Sequence, residues 1–186
     1  MVILCTLALG AAFTLYERLR LKKRPYLSLF LSLAFLLAAS RRLTSANALS
    51  LCLSFLYGGC LAIQDFYELY VGPEWMGFSL LLVLFGWGPL PDLASSLAGG
   101  LLFALPAFYC ARKGSCGQAD PWFLLLFGFE LGLSRMLICL LTTLPAAFVY
   151  LLLAEQKRVP FLPFLVSGWL LARCCGWGLA AAFGLL

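Results

Sequence analysis

Residues 121–154 read PWFLLLFGFELGLSRMLICLLTTLPAAFVYLLLA, and Glu130 and Arg135 are the only charged side chains in this stretch. A chain segment in hydrocarbon satisfies its own backbone hydrogen bonds only as a helix. A membrane β-strand would alternate apolar and polar residues, whereas this run is apolar on every side. We therefore divide the stretch into two predicted membrane helices, at 121–136 and 138–154.

The rest of the chain has the same character. It is 63% hydrophobic and only 11% charged, whereas soluble domains carry roughly 25% charged residues. This composition predicts an all-α polytopic membrane protein with about eight transmembrane helices. We expect one transmembrane domain over residues 1–186, with no separate soluble domain. The six further apolar segments are 1–16, 25–40, 47–64, 76–91, 93–110 and 160–182.

Basic residues are concentrated in one set of loops. With eight spans, alternate loops fall on the same side of the membrane, and one set holds nine of the 13 Lys and Arg. The positive-inside rule makes that side cytoplasmic and places both termini outside, although Arg41 and Arg42 lie on the opposite side. The N-terminal segment has no basic region before it, which predicts a retained span rather than a cleaved signal peptide. The cytoplasmic loops are 17–24, 65–75, 111–119 and 155–159.

The amino-acid types that the chain lacks exclude several kinds of catalytic and metal site. The chain has no histidine, and its eight cysteines form no CxxC pair. This removes Ser-His and Cys-His nucleophiles and most zinc sites. We predict no metal and no cofactor. Acid–base chemistry then falls to the eight Asp and Glu, or to Lys and Cys.

Asp65 and Asp120 stand apart from the other acids. Asp65 ends the third segment and Asp120 opens the sixth, so both lie at the predicted cytoplasmic boundary. Ionisable groups near membrane spans are costly and are candidates for function. If folding brings these two together, they would share a proton and could activate water. As the alternative, Asp120 before Pro121 has the position of a helix N-cap.

Ordinary roles account for other acids. We expect Glu17 and Glu155 to lie beside basic residues in cytoplasmic loops, and Asp92 to lie in a short outer turn. Glu130 is placed in the middle of a span, where a buried ion pair between spans, with Arg173 as a partner, is the expected role. Small residues four apart predict close helix packing. They are Ser95 with Gly99, Ser96 with Gly100, and Gly128 with Gly132.

Three segments resemble the type IV prepilin peptidases, the GxGD group of membrane aspartyl proteases. DFYELYVGP contains an Asp at a span end followed by an apolar residue and a Pro, and GQADPWFLLLFG is similar to the second motif. KRVPFLPFLVSG gives the most specific match, and the resemblance covers roughly residues 45–175. The matching residues are Asp65, Val71, Pro73, Gly117, Asp120, Gly128, Lys157, Pro160, Phe161, Pro163, Phe164 and Gly168. The chain departs from the family at Ala119, Pro121 and Trp122.

The resemblance implies a prepilin peptidase with Asp65 and Asp120 as its catalytic pair, in a bacterial plasma membrane. Many members carry a CxxC-containing domain, tied to N-methylation, where this chain has only ERLRLKKRP. A peptidase-only protein is therefore expected. Its partners would be membrane lipid and prepilins or pseudopilins of a pilus or secretion system, with no nucleic acid. The substrate-binding candidates are Glu68 and Glu74, which could attract the basic leader, and Gly117.

Two alternatives stay open from the sequence. A presenilin-like or signal-peptide-peptidase-like protease would use the same two acids but cut within a span. Those groups carry a PAL-type motif, whereas this chain has VPFLPFLVSG at 159–168. A non-enzymatic transport or secretion subunit would use the acids as helix caps or ion-pathway groups.

Overall fold

The computed structural model describes residues 2–19, 26–39, 45–72, 92–154 and 159–182, together with Gly77. These residues form six helices and no strand, which confirms the all-α prediction. The apolar segment predicted at 76–91 lies outside the described residues apart from Gly77. The helices are α1 Val2–Leu19, α2 Tyr26–Ala39, α3 Ser45–Glu68, α4 Leu93–Arg112, α5 Asp120–Ala154 and α6 Leu162–Ala182.

Two of these helices, α4 and α5, are long and apolar enough to cross a membrane. Only 22% of the apolar stretch of each is buried, so most of its apolar surface faces outward. The prediction of eight transmembrane helices is not supported by the described residues. The 14 residues of α2 span about 21 Å, which falls short of a hydrocarbon core about 30 Å thick. The apolar part of α6, Leu162–Gly176, is also short.

Helix α5 bends sharply at Gly132. This glycine has φ 72° and ψ 174°, which divides α5 into helical segments at 120–131 and 133–154. Only glycine adopts this backbone conformation readily. The division between two segments was predicted at Leu137, and the structure places it at Gly132, where the backbone can turn.

Side chains from two places replace the helical hydrogen bonds lost at the bend. The N–H of Leu133 donates to Ser95 Oγ on α4 at 3.1 Å. Arg135 Nε donates to the carbonyl of Leu131 at 2.9 Å. Each broken helix end thereby gains one partner for a backbone group that the helix itself does not satisfy.

The first segment of α5 runs parallel to α6. Phe127 stacks on Trp169 with ring centroids 5.4 Å apart, and Glu130, one turn further along, pairs with Arg173, one turn further along α6. Residue numbers therefore rise together in the two helices.

The second segment of α5 runs antiparallel to α6. Near the bend, a Cβ added at Gly176 would lie 2.9 Å from Arg135 Cγ. Further along, Thr143 Oγ1 donates to the carbonyl of Phe164 at 3.3 Å. Residue numbers now fall in α6 as they rise in α5, so α5 is a helical hairpin whose two ends return to the same end of the bundle.

Helix α4 packs closely against the first segment of α5 through glycines. A Cβ added at Gly99 would lie 2.6 Å from the carbonyl oxygen of Gly128, which is too close for any other residue. The other ends of the two helices meet through Phe108 and Trp122, with ring centroids 5.2 Å apart. The predicted role of small residues in helix packing is confirmed here.

Aromatic side chains join α1, α2 and α3. Phe55 lies between Phe13, with centroids 5.8 Å apart, and Phe35, at 5.2 Å, and all three are buried. Helix α3 also contacts α6, because a Cβ at Gly58 would meet Val166 at 3.4 Å. These contacts fix α3 between the N-terminal hairpin and α6.

Several helix ends gather at one end of the bundle, which we call the Asp65 end. The Tyr67 hydroxyl donates to Glu17 at 3.0 Å, which joins the ends of α3 and α1. Phe66 contacts Tyr150 with ring centroids 6.1 Å apart, which joins the ends of α3 and α5. The loops predicted to share one side of the membrane begin or end at these helix termini.

Candidate functional site: a pair of buried acids

Asp65 lies in the last turn of α3 and reaches the start of α6. Its Oδ2 accepts the N–H of Leu162, the first residue of α6, at 3.1 Å. The first N–H groups of a helix have no partner within it, so Asp65 supplies one from 97 residues away in sequence. The helix that carries Asp65 ends directly afterwards, at Leu69, where φ is 53°. The carboxylate is thus fixed between α3 and α6.

Asp120 is the first residue of α5. Its Oδ2 accepts the N–H of Gly117 at 3.1 Å, from the loop that precedes the helix. A helix cap instead accepts from an N–H inside its own helix, as Asp92 does from Ser95 at 3.0 Å on α4. Capping therefore does not account for the carboxylate of Asp120 in the described structure.

The two carboxyl groups interact electrostatically. Burial is the main cause that raises the pKa of Asp65 to about 6, while the Leu162 N–H lowers it. Burial also raises the pKa of Asp120, with a further increase from the charge of Asp65, to about 7, against a lowering by the Gly117 N–H. Both residues lie at helix ends, outside the apolar segments 47–64 and 121–136. The fold thus brings together two acids that the sequence separates by 55 positions.

The pKa values of about 6 and about 7 place the titration of both acids near neutral pH. Two nearby carboxylates do not both ionise easily, since each charge disfavours the other. The protons belong to the pair and not to one residue. Near neutral pH such a pair can supply one proton acceptor and one proton donor, which is what water activation requires.

Polar groups near the two acids come from α3 and from the loop that precedes α5. Gln64 Nε2 donates to Glu68 Oε2 at 3.1 Å, and Gln64 Oε1 is buried without a hydrogen-bond partner within the described residues. On the other side, burial and the charge of Asp120 raise the pKa of the Cys116 thiol. That thiol donates to the carbonyl of Ala107 at 3.4 Å.

Two of the three predicted substrate-binding residues lie within the described structure. Glu68 is the last residue of α3 and is exposed. Gly117 is exposed, and its N–H holds Asp120. Glu74 lies outside the described residues, as do Pro73 and Lys157 of the family resemblance.

The segment with the most specific resemblance builds the start of α6. Leu162 is buried completely and presents its N–H to Asp65. Six residues later, a Cβ added at Gly168 would lie 2.7 Å from the carbonyl of Cys139. Glycine at this position lets α6 approach α5 closely, directly beyond the turn that contacts Asp65.

The three departures from the family have ordinary surroundings. Ala119 and Pro121 are buried on either side of Asp120. Trp122 is 44% exposed and packs edge-on against Phe108.

Two further acids have partners that can now be named. Glu130 pairs with Arg173 and accepts the indole N–H of Trp169 at 2.8 Å, which confirms the predicted buried ion pair. The expectation for Glu17 was wrong, because its side chain is 0% exposed and accepts hydrogen bonds from Tyr67 and Ser28. The basic residues that follow Glu17 in sequence suggested a loop, and no local signal indicated partners on other helices.

No metal cluster is seen within the described ranges, where no three Cys, Asp or Glu side chains are placed to hold an ion. All eight cysteines are free thiols. Comparisons of the chain with protein-family models, with curated proteins and with solved structures find no match. Inference about function therefore starts from the residues and their geometry.

Proposed function

We propose that this chain is an aspartic endopeptidase of the prepilin peptidase type, which removes the basic leader from pilin-like precursors at the cytoplasmic membrane face. One observation carries the proposal: Asp65 and Asp120 interact at one end of the bundle, and the pKa of each is raised into the range from about 6 to about 7. General acid–base groups work best when their pKa lies near the working pH.

The mechanism needs only these two side chains and water. The ionised member of the pair takes a proton from a water molecule, which attacks the scissile carbonyl carbon. The protonated member donates a hydrogen bond to the carbonyl oxygen and supplies a proton as the tetrahedral intermediate collapses. The N–H groups of Leu162 and Gly117 keep each carboxyl group oriented without consuming its second oxygen.

The surface near the pair supports a position at a membrane boundary, which we propose to be that of a bacterial plasma membrane. The apolar faces of α4 and α5 point outward, as the faces of lipid-exposed helices do. Tyr109 and Trp122 are exposed at the Asp65 end, and Lys113 lies over the Tyr109 ring at 4.4 Å. Aromatic and basic residues are enriched at membrane interfaces, so we propose a multi-pass protein with its acids at the cytoplasmic face.

The proposed substrate has a short basic leader before an apolar helix. Glu68 is exposed one turn after Gln64, close enough to Asp65 along α3 for its charge to attract the leader, and Glu74 would add to it. Normal processing by a Glu68→Gln, Glu74→Gln double variant would rule this attraction out.

The test is processing of a tagged prepilin by purified protein in lipid or detergent. Asp65→Asn and Asp120→Asn should each lower the rate by more than about 10³-fold, since removing one member of a group that acts as a unit removes nearly all of its effect. Asp92→Asn is the matched control, because Asp92 is exposed and Asn caps a helix as well as Asp does.

The outcomes separate the alternatives. Cleavage after the leader in wild type, with both variants inactive but folded, supports the paired-acid peptidase. Cleavage of a generic transmembrane reporter but not of prepilin would indicate a presenilin-like protease instead. Cleavage that persists in either variant would refute the pair, and a wild type that cleaves neither substrate would favour a non-enzymatic transport or secretion subunit.

A further inference from the structure

Glu17 is a buried acid that the paired-acid mechanism does not use. It lies near the end of α1, and its side chain is 0% exposed. Its Oε1 accepts the Tyr67 hydroxyl at 3.0 Å, and its Oε2 accepts the N–H of Ser28 at 3.2 Å. A buried carboxylate is costly unless hydrogen bonds compensate it. The two hydrogen bonds to Glu17 provide this compensation and join three helices.

The two hydrogen bonds join α1 to two different helices. Ser28 is the third residue of α2, and its N–H is one of the groups that the helix cannot satisfy internally. A negative charge there also interacts favourably with the helix dipole. The Tyr67 hydroxyl lies 50 positions along the chain from Glu17 and belongs to the last turn of α3.

That last turn carries Asp65. Tyr67 follows Asp65 by two residues, and its ring packs edge-on against Phe66, with centroids 5.2 Å apart. Phe66 contacts Tyr150 at 6.1 Å. The last turns of helices fray unless outside contacts hold them, and here Glu17 provides a hydrogen-bonded anchor for the turn.

The ring contacts continue from Tyr150 to the start of α6, which also binds Asp65. Tyr150 packs on Phe164, with centroids 5.5 Å apart, and Phe164 follows Leu162 by two residues on α6. Leu162 is the residue whose N–H holds Asp65. The anchored turn of α3 and the start of α6 are thus parts of one continuous set of contacts.

We propose that Glu17, acting through the Tyr67 hydroxyl, is a positioning residue that holds the last turn of α3 so that Asp65 meets Asp120. The role rests on the proposed function for its effect on cleavage, but its effect on the geometry of the acid pair does not. Glu17 does not touch the reacting groups and is not a catalytic residue.

Tyr67→Phe is the sharpest variant, because it removes the hydroxyl and keeps the ring that packs on Phe66. Tyr70→Phe is the matched control, since Tyr70 is 60% exposed at the same end. We expect Tyr67→Phe to lower kcat for prepilin cleavage by about 10-fold with little change in KM, because small misplacements of reacting groups lower rates strongly. Glu17→Gln should have a similar effect, and Tyr70→Phe should have none.

A second readout does not depend on activity. The two carboxyl groups are titrated by NMR in micelles with ¹³C-labelled Asp, with Asp65→Asn and Asp120→Asn used for assignment. In wild type the pair should titrate in two coupled steps, and in Tyr67→Phe the two steps should move closer together as the acids separate. The nearby titratable groups in the described structure are Glu68, three residues after Asp65 on α3, Cys116, whose thiol interacts with the charge of Asp120, and, through Tyr67, Glu17.

The outcomes are decisive in both directions. A lower kcat together with a changed titration supports the positioning role. A lower melting temperature with unchanged kcat and unchanged titration would overturn it and leave Glu17 a structural residue alone. If wild type cleaves no prepilin, the proposed function fails, and the titration alone then decides whether Glu17 positions the pair.

Discussion

Two of the acid sites in the described structure differ in the partner that each acid has. Glu130 lies near the Gly132 bend and is paired with Arg173 and the Trp169 indole. Asp65 and Asp120, at the opposite end of the first segment of α5, receive one backbone N–H each and, within the described residues, form no ion pair. The partner distinguishes the two sites: a neighbouring cation favours the ionised form of an acid, whereas a neighbouring acid disfavours it.

The first test of this difference in roles is to neutralise one acid at each site and to measure prepilin cleavage. Asp120→Asn should lower prepilin processing by more than about 10³-fold, because it removes the shared proton. Glu130→Gln should change the rate by no more than a few fold, since Glu130 lies about 15 Å along the helix from Asp120. An equal loss in both variants, with both folded, would contradict the division of roles.

The stability of the ion pair gives the second test. Glu130→Gln should lower the free energy of unfolding by about 3 kcal/mol, because it removes the carboxylate that pairs with the partly buried Arg173 guanidinium. The double variant Glu130→Gln, Arg173→Met should recover much of that loss, since apolar replacement of a whole buried pair is often neutral. Unfolding in mixed micelles measures both, with the exposed Arg112→Met as control. A double variant no more stable than Glu130→Gln would contradict the pairing.

Much of the helical structure could be predicted from the sequence, because long apolar runs leave a chain few alternatives. The ends of α3 and α5, where Asp65 and Asp120 lie, were also predicted, since both acids border apolar segments. Close packing through Gly99 and Gly128 followed from their spacing and the absence of side chains. These features depend on local composition.

The features that were missed depend on partners far away in sequence. Gly132 was read as a packing glycine, and its role as a bend requires Ser95 and Arg135 to replace the broken hydrogen bonds. Glu17 was read as a loop residue because basic residues follow it, but its burial is set by Tyr67 and Ser28 on other helices. Local sequence carries no signal for either contact.

The pH dependence of stability tests whether burial of the charged form raises the pKa of Asp120. The pKa of Asp120 is raised to about 7, so the folded state holds this proton longer than the unfolded chain does. The stability of wild type should therefore fall as pH rises from about 4 to about 7, and stay reduced above that range. Asp120→Asn removes this penalty and should be more stable than wild type at pH 8, by up to roughly 4 kcal/mol, given about 1.4 kcal/mol per pKa unit.

Thermal unfolding at pH 4 and pH 8 measures this effect. The two proteins should differ little in melting temperature at pH 4, where the folded carboxyl group is protonated and the unfolded one is about half protonated. Asp92→Asn should follow wild type at both pH values, because it replaces an exposed cap by an equivalent one. If Asp120→Asn is less stable than wild type at pH 8, burial of the charged form is not what raises the pKa.

The backbone has a positive φ near each of the two acid sites, at Gly132 near Glu130 and at Leu69 near Asp65. The bend is made by a glycine, Gly132, whereas α3 ends beside Asp65 with a non-glycine residue, Leu69, at φ 53°. A left-handed conformation costs a side-chain-bearing residue roughly 1–2 kcal/mol, and such strain is found near functional sites.

Because Leu69 is partly exposed, Leu69→Gly loses little packing and should raise the free energy of unfolding by about 1 kcal/mol. Gly132→Ala is the opposite change and should lower it by about 1–3 kcal/mol. Denaturation in micelles distinguishes them, and destabilisation by Leu69→Gly would mean that the apolar contacts of Leu69 outweigh the strain in its backbone.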